Sequence, residues 1–205
     1  MIVVNFSTPN YSAGQNRLAL SLIGTGCKTL MVDDYRDINS PTHQQSPYEF
    51  KIHAIEKAFD IDDIVLWADS SLWAVGDLSK IEEIIKRDGY FLEEAGHYVD
   101  RWCNDHTRKY FNLNSPNNFT MFSAGLVGLN LKSEIAMEFF YKWKQSALAG
   151  CFRGDWKDHR HDMTCGSIIA ERLGMKYQSG GSHMAYIGEA YGEPKEGVVF
   201  YAQGL

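Results

Sequence analysis

Short apolar runs rich in β-branched residues recur along this chain, each breaking off at polar or acidic positions, and the segments between them repeat apolar residues at helical spacing. That alternation is the strongest constraint on the fold. A strand buries residues with a period of 2 and a helix with a period of 3.6, so the two patterns cannot substitute for one another. IVVNF (2–6), KTLMVDDY (28–35) and DDIVLWAD (62–69) read as strands, joined by the shorter GYFLEEAG (89–96), the glycine-punctuated FTMFSAGLVGLNL (119–131, with Gly125 and Gly128) and GVVFYA (197–202). Between them, Ser12 caps a helix carrying Leu18, Leu22 and Ile23, which Gly24 or Gly26 ends. Pro47 suits the first turn of a helix that buries Phe50, Ala54, Ile55 and Ala58. Ser79 with Glu82 forms a capping box for a helix over Ile81, Ile84 and Ile85, stopping at Asp88-Gly89. Ser133 caps a helix with Ile135, Ala136, Phe139, Phe140 and Trp143, and MTCGSIIAERLG (163–174) is a further helix closed by Gly174.

Strands alternating with helices predict an α/β fold, a single domain over 1–205 with a mostly parallel central sheet and helices on both faces. The region 97–118 reads as part helix and part loop, ending in NSPNN, and the tail carries Gly180-Gly181 and Pro194. With 205 residues, 44% of them hydrophobic, the chain can bury one substantial core. Net charge is −6 with no basic block, which leaves out the electrostatic footprint of a nucleic-acid binder. The start, MIVVNFSTPN, lacks the positive region of a signal peptide, and no apolar run is long enough for a membrane span. Four scattered cysteines without a C-x-x-C pair suggest reduced thiols and a cytoplasmic protein.

In sheets of this kind ligands bind beyond the carboxyl ends of the strands. Asp33 and Asp34, Asp69, and Ser123 sit there. The turn Asp69-Ser70-Ser71 interrupts the apolar VLWADSSLWAVGDL: it either holds a divalent cation against a diphosphate through oxygen ligands or forms an Asx-turn on its own backbone. DWKDHRHD (155–162) is the densest polar cluster, with two histidines and three carboxylates among eight residues. It could bind metal, serve as acid and base through His161 and Asp162, or grip sugar hydroxyls, while Asp162 equally suits an N-cap and the positive end of the following helix.

VLWADSSLWAVGDL resembles the strand, acidic D-x-D turn and apolar stretch ending in "DL" of GT-A fold glycosyltransferases. SPYEFKIHAIEKA resembles the helix before that strand, FSAGLVGLNLKS the N-A-G-x-x-x-x-N strand, and DHRHDMTCGSIIAERLGM the D-Q-x-x-x-N helix start of the retaining sugar-nucleotide transferases, in that order along the chain. The resemblance implies a glycosyltransferase that moves a sugar from a nucleotide-sugar donor to a hydroxyl acceptor. On that pattern Phe6, Ser7 and Thr8 touch the nucleoside, and Asp33 accepts from a base or ribose hydroxyl. Lys51 pairs with donor phosphate or with Asp69, and Asp69, Ser70 and Ser71 meet the diphosphate. Asp162 is the acceptor-side acid, the general base of an inverting enzyme or a positioning group in a retaining one. Ser123, Trp156 and His159 face the acceptor.

Mn²⁺ or Mg²⁺ is implied as cofactor, on Asp69 and Ser71 with His183 as a distant ligand. Ser71 stands where the family has its second Asp, which lowers ligand charge and leaves three options: a weaker metal site, a shell completed by donor phosphate and a distant residue, or no metal. A binding protein that keeps the fold and has lost catalysis is the alternative function. A metal phosphohydrolase using His161-Asp162 is a third, against which the strand content argues.

Overall fold

The computed structural model of the protein describes residues 1–113, 119–187 and 196–203. NSPNN and Pro194 lie outside them. The chain begins with β1 (Ile2–Phe6), α1 (Ser12–Ser21), β2 (Lys28–Val32), α2 (Glu49–Ala58) and β3 (Ile64–Ala68). It continues through β4 (Leu72–Ala74), α3 (Ser79–Asp88), β5 (Tyr90–Phe91), β6 (Glu94–Tyr98), the short α4 (Asp105–Tyr110) and β7 (Thr120–Phe122). After β8 (Leu126–Asn130) come α5 (Glu134–Leu148), α6 (His161–Arg172), β9 (Met184–Tyr186) and β10 (Phe200–Ala202).

The central sheet has the order β2-β1-β3-β8-β5 and is covered by helices on both faces, as the alternating pattern predicts. Every residue of β1 is buried, and its side chains divide between two cores by the period of two: Ile2, Val4 and Phe6 join the core under α2, α5 and α6, and Val3 joins the one under α1 and α3. In β3, Val65 and Trp67 face the first core, Leu66 and Ala68 the second. Each fully buried side chain of this size contributes about 1.5–3 kcal/mol of hydrophobic stabilisation, which makes the register of these strands hard to shift.

The parallel block is β2-β1-β3; β8 runs antiparallel to both β3 and β5. The reversal matters for the site. It brings the turn before β8 to the carboxyl end of β3, where the Asp69 amide donates to the Gly125 carbonyl (2.8 Å). Gly128 is required inside β8, because a Cβ there would lie 2.4 Å from Ile85 Cδ1; its absence lets α3 close on the sheet.

Several local expectations give way. FTMFSAGLVGLNL is two strands in different sheets, since β7 pairs with β6 and β8 with β3, and GYFLEEAG likewise divides into β5 and β6. The segment after the acidic turn forms β4 and joins β10 and β9 in a separate small sheet. Ser12 lies inside α1, its hydroxyl donating to the Pro9 carbonyl, and Ile23 is 76% exposed because α1 ends at Ser21 before a further turn can present it inward. At α3 the Ser79 amide donates to Asp77 Oδ1, so the capping oxygen is that of Asp77 and not of Ser79. Ser133 does cap α5, and Gly89 ends α3 in the left-handed conformation.

Candidate active site

Asp69 follows the last residue of β3, and its placement is set by three neighbours. Its amide is tied to Gly125, its Oδ1 accepts from the Trp67 indole N–H (2.6 Å), and the Lys51 ammonium lies 3.5 Å from the same oxygen. Oδ2 accepts no hydrogen bond among the described residues and faces the space that a side chain at Gly125 would fill, 3.3 Å from its ideal Cβ. Lys51 rises from the first turns of α2, 1% exposed, and its Nζ donates to Asp162 Oδ2 and to the Ala124 carbonyl, both at 2.6 Å. Asp162 is buried in the first turn of α6, where the helix dipole favours its charge, and its own carbonyl accepts from Trp143 Nε1 (2.9 Å).

One buried ammonium therefore bridges two carboxylates. Burial alone would drive Lys51 down, but the Asp162 and Asp69 charges outweigh it and hold the ammonium above its ordinary value. Burial raises the Asp69 carboxyl above its usual range, against the pull of Lys51, and the Asp162 charge adds to the rise. Tyr48, which packs beside them, is pushed well above the ordinary phenol value by burial and then by the same two carboxylates, so it stays protonated.

This triad forms the floor of a cleft of about 680 Å³. Asp69, Ser71, Lys51, Ser123, Trp156 and Asp162 all line it, so residues singled out from four separate stretches of sequence meet in one place. Trp156 is 52% exposed and stacks on His161 at 5.5 Å between ring centroids. A second hollow of about 630 Å³ lies beyond the shared wall of Tyr48 and Trp156. Tyr48 (φ 61°) and His161 (φ 45°), whose rings sit 5.3 Å apart, both adopt the left-handed backbone, an arrangement that costs a bulky residue about 1–3 kcal/mol and clusters at functional sites.

Other residues take different positions. Ser70 is buried with its hydroxyl turned onto Asn5 Oδ1 (3.2 Å), inside a network in which Asn5 donates to the Ala68 carbonyl and Gln15 to Asn5 and the Val32 carbonyl. Its side chain thus splints the strand ends, and Ser70 does not line the cleft. His159 is 0% exposed, with Nε2 at 2.8 Å from the Cys151 carbonyl and Nδ1 at 3.3 Å from that of Trp102, so it anchors the loop and is no acceptor contact. His161 holds the Phe152 carbonyl through Nδ1 (2.8 Å) and lines the second hollow, away from the catalytic floor.

His183 packs edge-on to Phe91, its Nδ1 2.8 Å from Ser182 Oγ and 3.5 Å from Glu93 Oε2. It does not line the cleft with Asp69. Among the described residues no group of three His, Cys, Asp or Glu side chains could hold a metal ion. Phe6 and Ser7 are buried, Phe6 packing on Tyr35 and Phe50; with Thr8 and the exposed Asp33 they sit at the same sheet edge but do not line the cleft.

Tyr48, Glu93 and Arg160 are among the lining residues that escaped the sequence reading. Glu93, buried, accepts from the amides of Gly181 (2.8 Å), His183 (3.0 Å) and Met184 (3.3 Å), and so moulds the glycine loop into the cleft wall. The signal was present: like Asp69, it ends an apolar run. Arg160 stands in the polar cluster, between Trp102 and Trp156, and nothing in its local sequence distinguishes it from a solvated loop arginine.

No helix among the described residues is long and apolar enough to cross a membrane, and all four cysteines are unpaired. No protein-family model matches the chain, and no curated protein matches it by sequence. Solved structures do match by shape. A glycosyltransferase involved in glycosylation of the major capsid of PBCV-1 superposes with a TM-score of 0.63 at 12% identity, over 98% of this chain and 92% of its own. Mouse xyloside xylosyltransferase 1 gives 0.57 at 13% identity, over 99% and 98%. The bifunctional glycosyltransferase WbbM gives 0.54 at 13% identity over 91% of this chain, which spans 40% of the length of WbbM. At such identities shape is what is shared, and the fold of this chain is a GT-A-like glycosyltransferase fold.

Proposed function

We propose that the protein transfers a sugar from a nucleotide-sugar donor to a hydroxyl acceptor at the Asp69–Lys51–Asp162 cleft. The observation that carries this reading is the bridge itself. Lys51 and Asp162, 111 residues apart in sequence, are joined by a 2.6 Å ion pair beside Asp69 at the sheet edge of a fold shared with glycosyltransferases.

The floor is suited to the charge that such a reaction develops. Two carboxylates against one ammonium leave net negative charge beneath the position where the anomeric carbon becomes electron-poor, and a buried, prearranged charge acts there more strongly than in water. Asp162 holds Lys51 through Oδ2, which fixes the carboxylate and leaves Oδ1 for the acceptor hydroxyl. With inversion, Oδ1 takes the acceptor proton; with retention, the leaving phosphate takes it and Asp162 orients the hydroxyl. Trp156, packed on His161 and Arg160, offers its remaining exposed surface to an acceptor sugar.

A divalent cation would find one free carboxylate oxygen, Asp69 Oδ2, and the Ser71 hydroxyl. That set is too small for a resident ion next to an ammonium, but fits an ion that arrives with the donor and takes its remaining oxygens from phosphate and water. Bound there, it would neutralise charge on the departing diphosphate. Lys51, with Asp162, Asp69 and Ala124 already around its ammonium, is not free to reach phosphate as well.

Calorimetric titration with UDP-, GDP-, ADP-, CMP- and dTDP-sugars, each with Mn²⁺ and with EDTA, tests donor binding, and transfer onto a panel of sugar acceptors tests turnover. One donor should bind, and Asp162→Asn should lower transfer by about 10²–10⁴-fold while that donor still binds. Unchanged turnover in Asp162→Asn rejects both roles for this residue. The Ser71 departure also supports a second reading, a nucleotide-sugar-binding protein without catalysis; donor binding with no transfer to any acceptor selects it.

A further inference from the structure

The cleft contains a second permanent cation that the scheme above does not use. Arg160 lines it beside His97, Trp156 and Met163, whereas Ser71 is tied through its carbonyl to Arg17 and Gln203. The Arg160 guanidinium is clamped. Its Cζ lies 3.5 Å from the Trp102 ring centroid and 4.0 Å from that of Trp156, and one N–H donates to the Trp156 carbonyl. Among the described residues no carboxylate forms an ion pair with it, and a second cation, Arg101, lies against the same Trp102 ring, its Cζ 5.0 Å from the centroid. Aromatic rings beside a guanidinium leave its remaining N–H groups for a further acceptor, and that planar fork of donors is suited to carboxylate and phosphate. In a chain of net charge −6, an arginine without a carboxylate partner on the wall of an acid-floored cleft calls for an anionic partner.

We propose that the acceptor of this enzyme carries an oxyanion, a carboxylate or a phosphate ester, beside the hydroxyl to be modified, and that Arg160 binds that group through its guanidinium N–H groups. The proposal rests on reading the cleft as a transfer site. It assigns the oxyanion to the acceptor and not to the donor diphosphate, because Arg160 packs on Trp156 while the diphosphate position lies at Asp69 and Ser71. Neutral sugars would leave the guanidinium without its partner, which makes Arg160 a specificity determinant and not only a binding contact.

Binding alone tests this without any turnover. Methyl β-glucuronoside and glucose 1-phosphate are compared with neutral methyl β-glucoside by quenching of tryptophan fluorescence, and UDP is titrated in parallel. The acidic sugars should bind the wild-type protein about 10- to 100-fold more tightly than the neutral one, the factor expected of a charge-assisted pair, with the advantage shrinking at high salt. Arg160→Gln should remove the preference and leave UDP affinity unchanged. Arg101→Gln, outside the cleft, should preserve it. Should Arg160→Gln not fold, Arg160→Lys decides: it keeps a charge but loses the planar fork, so the preference falls several-fold without vanishing. Equal binding of acidic and neutral sugars to the wild type overturns the proposal, as does loss of UDP affinity in Arg160→Gln with the acid preference intact. Failure of every nucleotide sugar to bind would instead remove the transferase reading, and the acid preference would still be measured.

Discussion

Replacing Lys51 by methionine keeps the length of the side chain and removes its charge. The structure gives the consequence a magnitude. The ammonium is 1% exposed and carries two contacts of 2.6 Å, to Asp162 and to the Ala124 carbonyl, with Asp69 at 3.5 Å. Without it Asp162, itself 4% exposed, becomes a buried carboxylate with no counter-ion, and a buried carbonyl loses its donor. Breaking a buried pair in this way costs about 3–5 kcal/mol, more than the pair contributes when intact, because the desolvation of the remaining charge is no longer offset. For a chain of this size that corresponds to a fall of roughly 6–20 °C in melting temperature.

The deficit should also depend on pH. A buried carboxylate without its counter-ion is costly only while it is charged, so the deficit of Lys51→Met should narrow in acid. Urea denaturation of wild type and mutant at pH 7 and pH 5 measures both effects, and Lys51→Met/Asp162→Asn should recover much of the loss by removing both charges. A deficit below about 1 kcal/mol, the range of solvent-screened surface pairs, with no dependence on pH, would refute the buried bridge.

Two further outcomes follow from the same geometry. Gly125→Ala places a methyl group 3.3 Å from Asp69 Oδ2 and 3.5 Å from Ser123 Oγ, in a backbone conformation that alanine tolerates, so the protein should fold with little change in melting temperature and lose donor affinity by calorimetry; unchanged affinity would place the diphosphate elsewhere. His159 is held below its ordinary value, first by burial, so its contribution to stability is complete above the unfolded value of about 6.5 and is lost as pH falls through it toward the lowered folded value. Replacing it with glutamine should flatten the stability profile between about pH 7 and pH 5 in chemical denaturation, and an identical profile would show that another group titrates there.

Much of the architecture was legible from residue spacing alone. IVVNF and DDIVLWAD alternate their apolar side chains between two cores, and Phe50, Ala54, Ile55 and Ala58 share one helical face, because period and burial are local properties of the chain. The same local logic placed Asp69 at the end of a buried strand and Ser133 at the start of α5. Pairing direction is not local. The reversal of β8 depends on which strand edge is free when residues 126–130 arrive, and it carries Gly125 and Ser123 to Asp69. Nor could spacing show which members of the densest polar cluster turn inward. His159 and His161 bond backbone carbonyls of their own loop, whereas Asp162, next in sequence, meets Lys51 across the fold. Sequence alone therefore determined the residue types and the layered frame. Tertiary structure decided which charges meet, because an ion pair between α2 and the first turn of α6 exists only once both helices have packed on the same face of the sheet.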